Sequence, residues 1–351
     1  MKTGKSLIEL ATEIQRQSES KRDYITDTRT LEMTGRGQLA MDINDTQVTL
    51  DVTPHAHNQI AQRVGIPTPY YKKMVAEAPH LLAQNVNHWF TEKPERRMVR
   101  TLDGNARAFL SDRYRIIDHY EILETILPVV SEMGLEKGIV STEITDNRLY
   151  FKVINQRLEL EVQKNDVVQA GFVISNSETG MGALKVEPLI YRLVCTNGMI
   201  SQDYSQKRYH VGRAAASEDE AYELYADETL RADDEAFLLK VRDTVRAAVD
   251  VTQFTKIVER MRESIGQKIE GNPVKAVEVA SKTFGLNQGE SSGILTHLIQ
   301  GGDLSAYGLL NAITRTAQDV ESYDRATELE AMGSKVLSLP KSTWKEIALA
   351  Q

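Results

Sequence analysis

The chain has little cysteine and no long hydrophobic run, and each scarcity removes a class of protein. One of its 351 residues is a cysteine, Cys195, so an intramolecular disulfide is excluded and a reducing compartment is indicated. No apolar run approaches the roughly 18 residues that a membrane span requires. The first residues are polar and amphipathic and lack the apolar core of a signal peptide, so we expect a cytoplasmic protein that contacts no membrane.

Sequence motifs of catalysis and metal binding are also missing. The chain contains no G-x-S-x-G elbow, no H-E-x-x-H pattern and no Walker-type phosphate loop. His55 and His57 form an H-x-H pair, but on a helix this spacing points them apart, and we expect both to face solvent. Cys195 follows an apolar strand, which favours a buried structural thiol. We therefore predict no catalytic residue, no metal and no cofactor.

Charge is unevenly distributed along the chain. The net charge is −8, which argues against nucleic-acid binding over the whole surface. Residues 96–115 nevertheless contain six arginines, no lysine and two acids, whereas residues 218–235 are strongly acidic. The acidic block indicates a solvated helix face or a connector. It could also pair with the basic face of a neighbouring subunit.

The arginine-rich segment has the pattern of a hairpin. Asp103-Gly104 predicts a two-residue type I′ turn between two apolar-rich strands. With a two-residue loop, Arg100 and Arg107 lie opposite each other, and like charges there repel unless something negative lies between them. Guanidinium groups suit bidentate recognition of phosphate or carboxylate. The alternative is an edge hairpin whose arginines pair with nearby acids such as Asp112 and Asp118.

Three extended segments follow, near 148–154, 167–175 and 183–195. Basic residues are interleaved with tyrosines in the first and the third of them and in Lys207-Arg208-Tyr209 just beyond. A sequence-tolerant groove for single strands uses charge for the backbone and rings for stacking. The competing interpretation is that the alternation of polar and apolar residues places the polar ones on the solvent-exposed face of a half-buried sheet. The candidate nucleic-acid-binding residues are Arg96, Arg97, Arg100, Arg107, Arg113, Arg115, Arg148, Lys152, Lys185, Lys207 and Arg208, with Tyr114 and Tyr150 as stacking candidates.

The spacing of apolar residues predicts an α+β protein with a central antiparallel sheet, preceding hairpins and a helical C-terminal part. A D-x-x-E capping pattern at Asp118 begins a helix, and three strands and a long helix follow it, which gives a helix-β-β-β-α core. We divide the chain into an N-terminal α/β segment at 1–95, an α+β core with the arginine hairpin at 96–270, and a helical part at 271–351.

Several segments resemble one family. The most specific are RAFLSDRYR at 107–115 and VCTNGM at 194–199, and QIAQRVGIPTPYYKKM at 59–74 and AYGLLNAITRTAQDVESYDRATELE at 306–330 extend the resemblance over nearly the whole chain. The chain resembles a phage- and plasmid-associated family that is catalogued as a domain of unknown function and often labelled phage/plasmid-like protein. The resemblance implies a mobile-element context in a bacterial cytoplasm and brings no assigned activity.

The order of elements is similar to the helix-β-β-β-α core of single-strand-annealing recombinases, which phages commonly encode and which work as oligomers without ATP. This similarity concerns the fold, and a function depends on the residues of a site rather than on the fold that carries them. We predict an ATP-independent protein that binds and anneals single-stranded DNA as a homo-oligomer. One alternative is a non-catalytic factor of a phage or plasmid whose arginines meet an acidic protein. Another is an enzyme that clamps a phosphate-containing substrate, for which no general base is visible.

Overall fold

The computed structural model describes residues 1–43, 46–201, 206–208 and 227–351. Helices and strands are mixed, and the C-terminal part is helical, so the predicted α+β class is confirmed. The strands form two sheets rather than one central sheet. In the described part of the chain, no helix has the length and apolarity needed to cross a bilayer.

The first sheet is built from the N-terminal residues and from the arginine-rich hairpin. Its strand order is β1-β5-β6-β4-β3-β2, and the β4–β6 pair is its one parallel pairing among the described residues. Three helices cover one face of the sheet, where Met33, Ile60 and Phe109 are buried. The elements are α1 (Leu7–Ser20), β1 (Arg22–Asp27), β2 (Leu31–Met33), β3 (Leu39–Ile43), β4 (Thr46–Val52), α2 (Pro54–Val64), α3 (Thr68–Glu77), α4 (Pro79–Glu92), β5 (Arg96–Leu102) and β6 (Asn105–Ser111).

The second sheet is an antiparallel meander. In the sequence it lies between the helices α5 and α6. Its order is β11-β10-β9-β8-β7, and a short strand, β12, also pairs with β10. The helices α1, α5 and α6 cover one face, where Phe151, Phe172 and Ile126 are fully buried. The elements are α5 (His119–Glu132), β7 (Ile139–Ile144), β8 (Leu149–Gln163), β9 (Asp166–Asn176), β10 (Leu184–Arg192), β11 (Asn197–Ile200), β12 (Gln206–Arg208) and α6 (Asp227–Ala248).

C-terminal helices cover the opposite face of the second sheet. Val168 and Ile190 of the sheet are buried against Phe254, Tyr307 and Leu329 of these helices. A sheet that is covered on both faces needs apolar residues on both, which explains the long apolar runs in β8–β10. The helices are α7 (Val251–Ile265), α8 (Pro273–Phe284), α9 (Gln288–Gly301), α10 (Ala306–Thr316), α11 (Tyr323–Val336) and α12 (Lys341–Ala348).

The predicted capping pattern at Asp118 and the strands and helix after it all form, and β7, β11 and β12 add three strands to the predicted core. The division at 1–95, 96–270 and 271–351 stays a prediction, and the sheet order places the hairpin with strands from 1–95. Of the acidic block, residues 218–226 lie outside the described residues, and the remainder begins α6.

Three polar side chains differ from expectation. Cys195 is half-buried in the turn between β10 and β11, where Arg192 Nη1 donates to its Sγ at 3.3 Å, so it is not a buried core thiol. The two histidines are half-buried rather than solvent-facing. His55 Nε2 donates to the Thr179 carbonyl at 2.8 Å, and His57 Nδ1 lies 3.1 Å from the Tyr71 hydroxyl.

A fully buried ion pair ties the second sheet to α11. Lys152 Nζ on β8 donates to Glu330 Oε2 at 2.6 Å and to Thr327 Oγ1 at 3.1 Å. Neither charged side chain has any exposed surface. Lys152 Nζ also lies 4.6 Å from the ring centroid of Tyr323. The Lys152 amine therefore bonds only groups inside the protein in the described part of the chain, and it is not available to a ligand.

Replacing Lys152 with methionine should lower the free energy of unfolding by about 3–5 kcal/mol, because it leaves the Glu330 carboxylate buried without a partner. The double variant Lys152→Met/Glu330→Leu should recover most of that loss, since it removes both charges. Urea unfolding at pH 7 measures both values. Equal stabilities of the single and the double variant would contradict this account of the pair.

Candidate nucleic-acid interface

The arginine-rich hairpin forms with the predicted turn but in another register. Asp103 and Gly104 have φ values of 51° and 78°, the two positive values that a type I′ turn needs. A bulge after Arg100 pairs this residue with Ala108, so Arg107 is the extra residue of the bulge. Arg100 and Arg107 therefore do not face each other across the ladder.

Arg100 is completely buried and bonded to internal acids. Its Nε and Nη2 donate to the two carboxylate oxygens of Asp23 at 2.8 and 2.9 Å. Nη2 also donates to Asp118 Oδ1 at 2.9 Å, and Nη1 donates to the Glu178 carbonyl oxygen at 2.9 Å. The negative groups beside this arginine thus belong to the protein itself.

Glu178, which follows β9, is the centre of the same cluster. Its Oε2 accepts from Arg107 Nη2 at 2.5 Å, and its Oε1 accepts from the His119 backbone N–H at 2.7 Å. Burial alone would raise the pKa of Glu178, but His119, Arg107 and Lys21 hold it well below its ordinary value. Three cations therefore balance three carboxylates: Lys21, Arg100 and Arg107 against Asp23, Asp118 and Glu178.

Five of the predicted nucleic-acid contacts lie in the interior, and the expectation that they form an accessible surface is corrected. The Tyr114 hydroxyl donates to the Ser177 carbonyl at 3.1 Å, and the Tyr150 hydroxyl donates to Asp324 Oδ1 at 2.7 Å. Neither ring can stack on a base, because Tyr114 is 9% exposed and Tyr150 is 2% exposed. The five residues are Arg100, Arg107, Lys152, Tyr114 and Tyr150.

The other arginines of the hairpin segment are dispersed. Arg97 and Arg63 share the carboxylate of Glu95. Arg115 Nη1 donates to Asp233 Oδ2 of α6 at 2.7 Å. Arg113 is half-buried, and Arg96 is exposed at the start of β5. The hairpin segment thus presents no single surface on which all six arginines gather.

A groove between the second sheet and α11 contains the remaining predicted cations that the structure describes. It has a volume of about 280 Å³, and its lining includes Arg148 of β8, Lys185 of β10 and Lys335 of α11. Arg148 donates to the Tyr150 hydroxyl at 3.4 Å and to the Met181 carbonyl at 2.7 Å. The side-chain amines of Lys185 and Lys335 form no ion pair or hydrogen bond in the described part of the chain.

The backbone of β12 places two more predicted residues beside this groove. Lys207 pairs in register with Lys185, and Arg208 pairs with Leu184. The side chains of Lys207 and Arg208 lie outside the described part of the structure. Both residues therefore belong to the strand that borders the groove, and their roles stay predictions.

Acids also line the groove, but two of them are already bonded. Asp324 accepts from the Tyr150 hydroxyl, and Glu328 Oε2 accepts from Arg325 Nη1 at 2.7 Å. Glu187, the third acid, is 6% exposed. Lys335 is exposed, whereas the carboxylates of Asp324 and Glu328 accept hydrogen bonds from side chains of the protein. The groove thus carries charges of both signs, and the amines of Lys185 and Lys335 are its cations without a direct partner in the described part of the chain.

An enzymatic clamp would use the acids and the histidine that converge near Arg100. Glu178, Asp23 and Asp118 are each bonded to internal cations, as a structural cluster requires. Over the described residues, no group of three or more histidine, cysteine or acidic side chains could hold a metal ion. The arrangement holds these charges in place by internal pairing.

A family model described as "Domain of unknown function (DUF932)" matches residues 108–338, more than half of the chain. The chain belongs to this family. The DUF932 match begins in β6 and covers the second sheet, the groove and α11, whereas α1–α4 lie before it. No curated protein and no solved structure matches the chain.

Lys335 is the groove residue that the sequence did not reveal. It lies in the last turn of α11, where a lysine is expected simply to complement the helix dipole. Its place opposite Lys185 depends on the packing of α11 on the second sheet, which local patterns do not encode. Membership of the DUF932 family assigns no role to either lysine.

Stability should fall as the pH falls from 7 to 5. Burial lowers the pKa of His119, and also that of His57, to about 4. An unfolded chain binds these protons near pH 6.5 while the folded chain does not, so each histidine should lower the free energy of unfolding by about 2 kcal/mol over this interval.

The stability that is present above pH 6.5 is thus lost as the pH falls toward 4. Urea unfolding of the wild type and of His119→Asn at both pH values measures the effect. The variant should lose about half of the pH dependence that the two histidines cause. An unchanged dependence would show that His119 has the same pKa in the folded and the unfolded protein.

Proposed function

We propose that this protein binds single-stranded DNA in the groove between the second sheet and α11, and anneals complementary strands as a homo-oligomer without ATP. The observation that carries the proposal is that the amines of Lys185 and Lys335 line one groove and form no ion pair or hydrogen bond in the described part of the chain. A phosphate backbone supplies such anions at regular spacing.

The number of cations sets the expected strength of binding. Arg148, Lys185 and Lys335 line the groove, and β12 adds Lys207 and Arg208 beside it. Three to five phosphate contacts to a single strand give a slope of about −2 to −3.5 in a plot of log affinity against log salt concentration. Affinity is therefore modest for one chain, and an oligomer that repeats the groove along one strand would increase it.

The annealing activity and the oligomer are supported by the fold. A helix, an antiparallel meander of five strands and a second helix follow one another in α5, β7–β11 and α6. This order is similar to the helix-β-β-β-α core of single-strand-annealing recombinases, with two strands more. This support is by analogy of fold. A phage or plasmid origin and a bacterial cytoplasm belong to the same proposal.

An acidic protein segment is the second candidate for the groove. The Tyr150 ring is buried, and the groove is lined by Ala331, Met332 and Ile200 beside its lysines. Apolar side chains next to unpaired amines suit an amphipathic acidic peptide, whereas base stacking would need an exposed ring. The experiment below distinguishes the two ligands.

Replacing both groove lysines, in Lys185→Gln/Lys335→Gln, should weaken binding of a fluorescent oligothymidylate at least about tenfold, since two phosphate contacts are lost. Fluorescence anisotropy over a range of NaCl concentrations measures the affinity and the slope. The matched control is Lys72→Gln/Lys282→Gln, two exposed lysines on α3 and α8 with the same change of charge.

The control should bind like the wild type, and the groove variant should show a shallower salt slope. Equal affinities of the two double variants would reject the groove. A wild type that fails to bind the oligonucleotide at physiological salt would favour the acidic protein partner. Strand annealing without ATP and the particle mass with and without DNA then test the remaining parts of the proposal.

A further inference from the structure

A second cavity, of about 190 Å³, lies where the two sheets meet. Residues from α1, the β5–β6 turn, the β7–β8 turn and the segment after β9 form its walls. It is separate from the groove that is proposed for DNA. The residues that matter for its chemistry are Glu13, Arg16, Asp103, Arg107, His119 and Asp146.

Arg107 is a buried guanidinium group with unused donors. It is 7% exposed, and its side chain makes a single hydrogen bond among the described residues, from Nη2 to Glu178. Its Nε is buried without any partner there. Nη1 also has no partner in the described part of the chain. Because a donor without an acceptor is costly and Arg107 lines the cavity, its guanidinium group can bond an acceptor that enters there.

His119 adds a second donor to the same wall. Asn176 Nδ2 donates to His119 Nδ1 at 3.1 Å and to the Ile117 carbonyl at 3.0 Å, which fixes the amide orientation. With Nδ1 as an acceptor, the proton of the neutral ring lies on Nε2. Nε2 has no hydrogen-bond partner in the described chain. The wall thus offers N–H groups from two residues to a ligand.

The opposite side of the cavity is acidic. Arg16 forms an ion pair with Glu13, with 2.8 Å between Nη2 and Oε1, and another with Asp103, with 2.8 Å between Nη1 and Oδ1. Asp146, in the turn between β7 and β8, is exposed and has no ion pair within the described residues. Two cations and four carboxylates line the cavity in total, since Glu178 adds to the three acids already named. This excess of negative charge disfavours a ligand that is only an anion.

We propose that this cavity binds a small zwitterion of the α-amino-acid class. The ligand carboxylate accepts from the guanidinium group of Arg107 and from His119 Nε2, and the ligand ammonium group lies against Asp146. A cavity of about 190 Å³ is smaller than the sites that hold drug-sized ligands, which restricts the ligand to a small molecule.

Isothermal titration calorimetry of the full chain tests the proposal, with each of the twenty common amino acids as a separate probe. At least one should bind with a Kd below about 10 mM. Acetate and methylammonium, which carry one half of the zwitterion each, should bind at least about tenfold more weakly, because each leaves one side of the cavity unpaired.

Asp146→Asn should weaken binding of that amino acid at least about tenfold without changing thermal stability, because it removes the charge that faces the ammonium group. Glu124→Gln, an exposed carboxylate on α5 outside the cavity, is the matched control and should bind normally. Arg107→Lys keeps the charge beside Glu178, removes the free guanidinium donors and should also weaken binding.

Three results would overturn the proposal. If no amino acid binds the wild type, water satisfies the donors of the cavity. If acetate binds as tightly as the amino acid, the cavity is a simple anion site. If Asp146→Asn binds like the wild type, the zwitterion lies elsewhere, and this variant decides the matter even if Arg107→Lys fails to fold.

Discussion

The charge cluster around Glu178 is the constraint on which the rest of the structure depends. It joins the first sheet, through Arg100 and Arg107, to the second sheet, through Glu178 itself. Asp118, at the start of α5, is bonded to the same arginine. Such a cluster is stable only when every member is paired, because each unpaired buried charge is costly. It therefore fixes how the two sheets meet.

This cluster changes the functional meaning of the arginine-rich segment. A group of arginines in an acidic chain predicts a surface for a polyanion, but here internal carboxylates take the place of the polyanion. The cations that remain for the proposed ligand are Lys185 and Lys335, whose amines have no such partner in the described part of the chain. The sequence shows which residues are cationic, but only the ion pairs of the folded protein show which of these cations are available to a ligand.

Local signals in the sequence predicted local structure well. The turn at Asp103-Gly104, the capping pattern at Asp118 and the mixed α+β class are all present. The bulge after Arg100 was not visible, because a two-residue turn constrains the loop and not the ladder beyond it.

Long-range pairing was beyond the reach of these signals. Arg107 meets an acid 71 residues away, and Lys152 meets one 178 residues away. The nearby acid Asp118 was correctly named as an alternative partner for the arginines, and it bonds Arg100. Alternation in β8 suggested a wet face, yet α11 covers the position of Lys152, since periodicity shows which residues share a face and not what covers it.

The free energy of unfolding of Glu178→Gln at pH 7 is the most direct test of the cluster. The substitution keeps the shape of the side chain but leaves Arg107 without its carboxylate, so we expect a loss of about 3–5 kcal/mol relative to the wild type. A loss below about 1 kcal/mol, the size typical of an exposed pair, would contradict the view that this cluster holds the two sheets together.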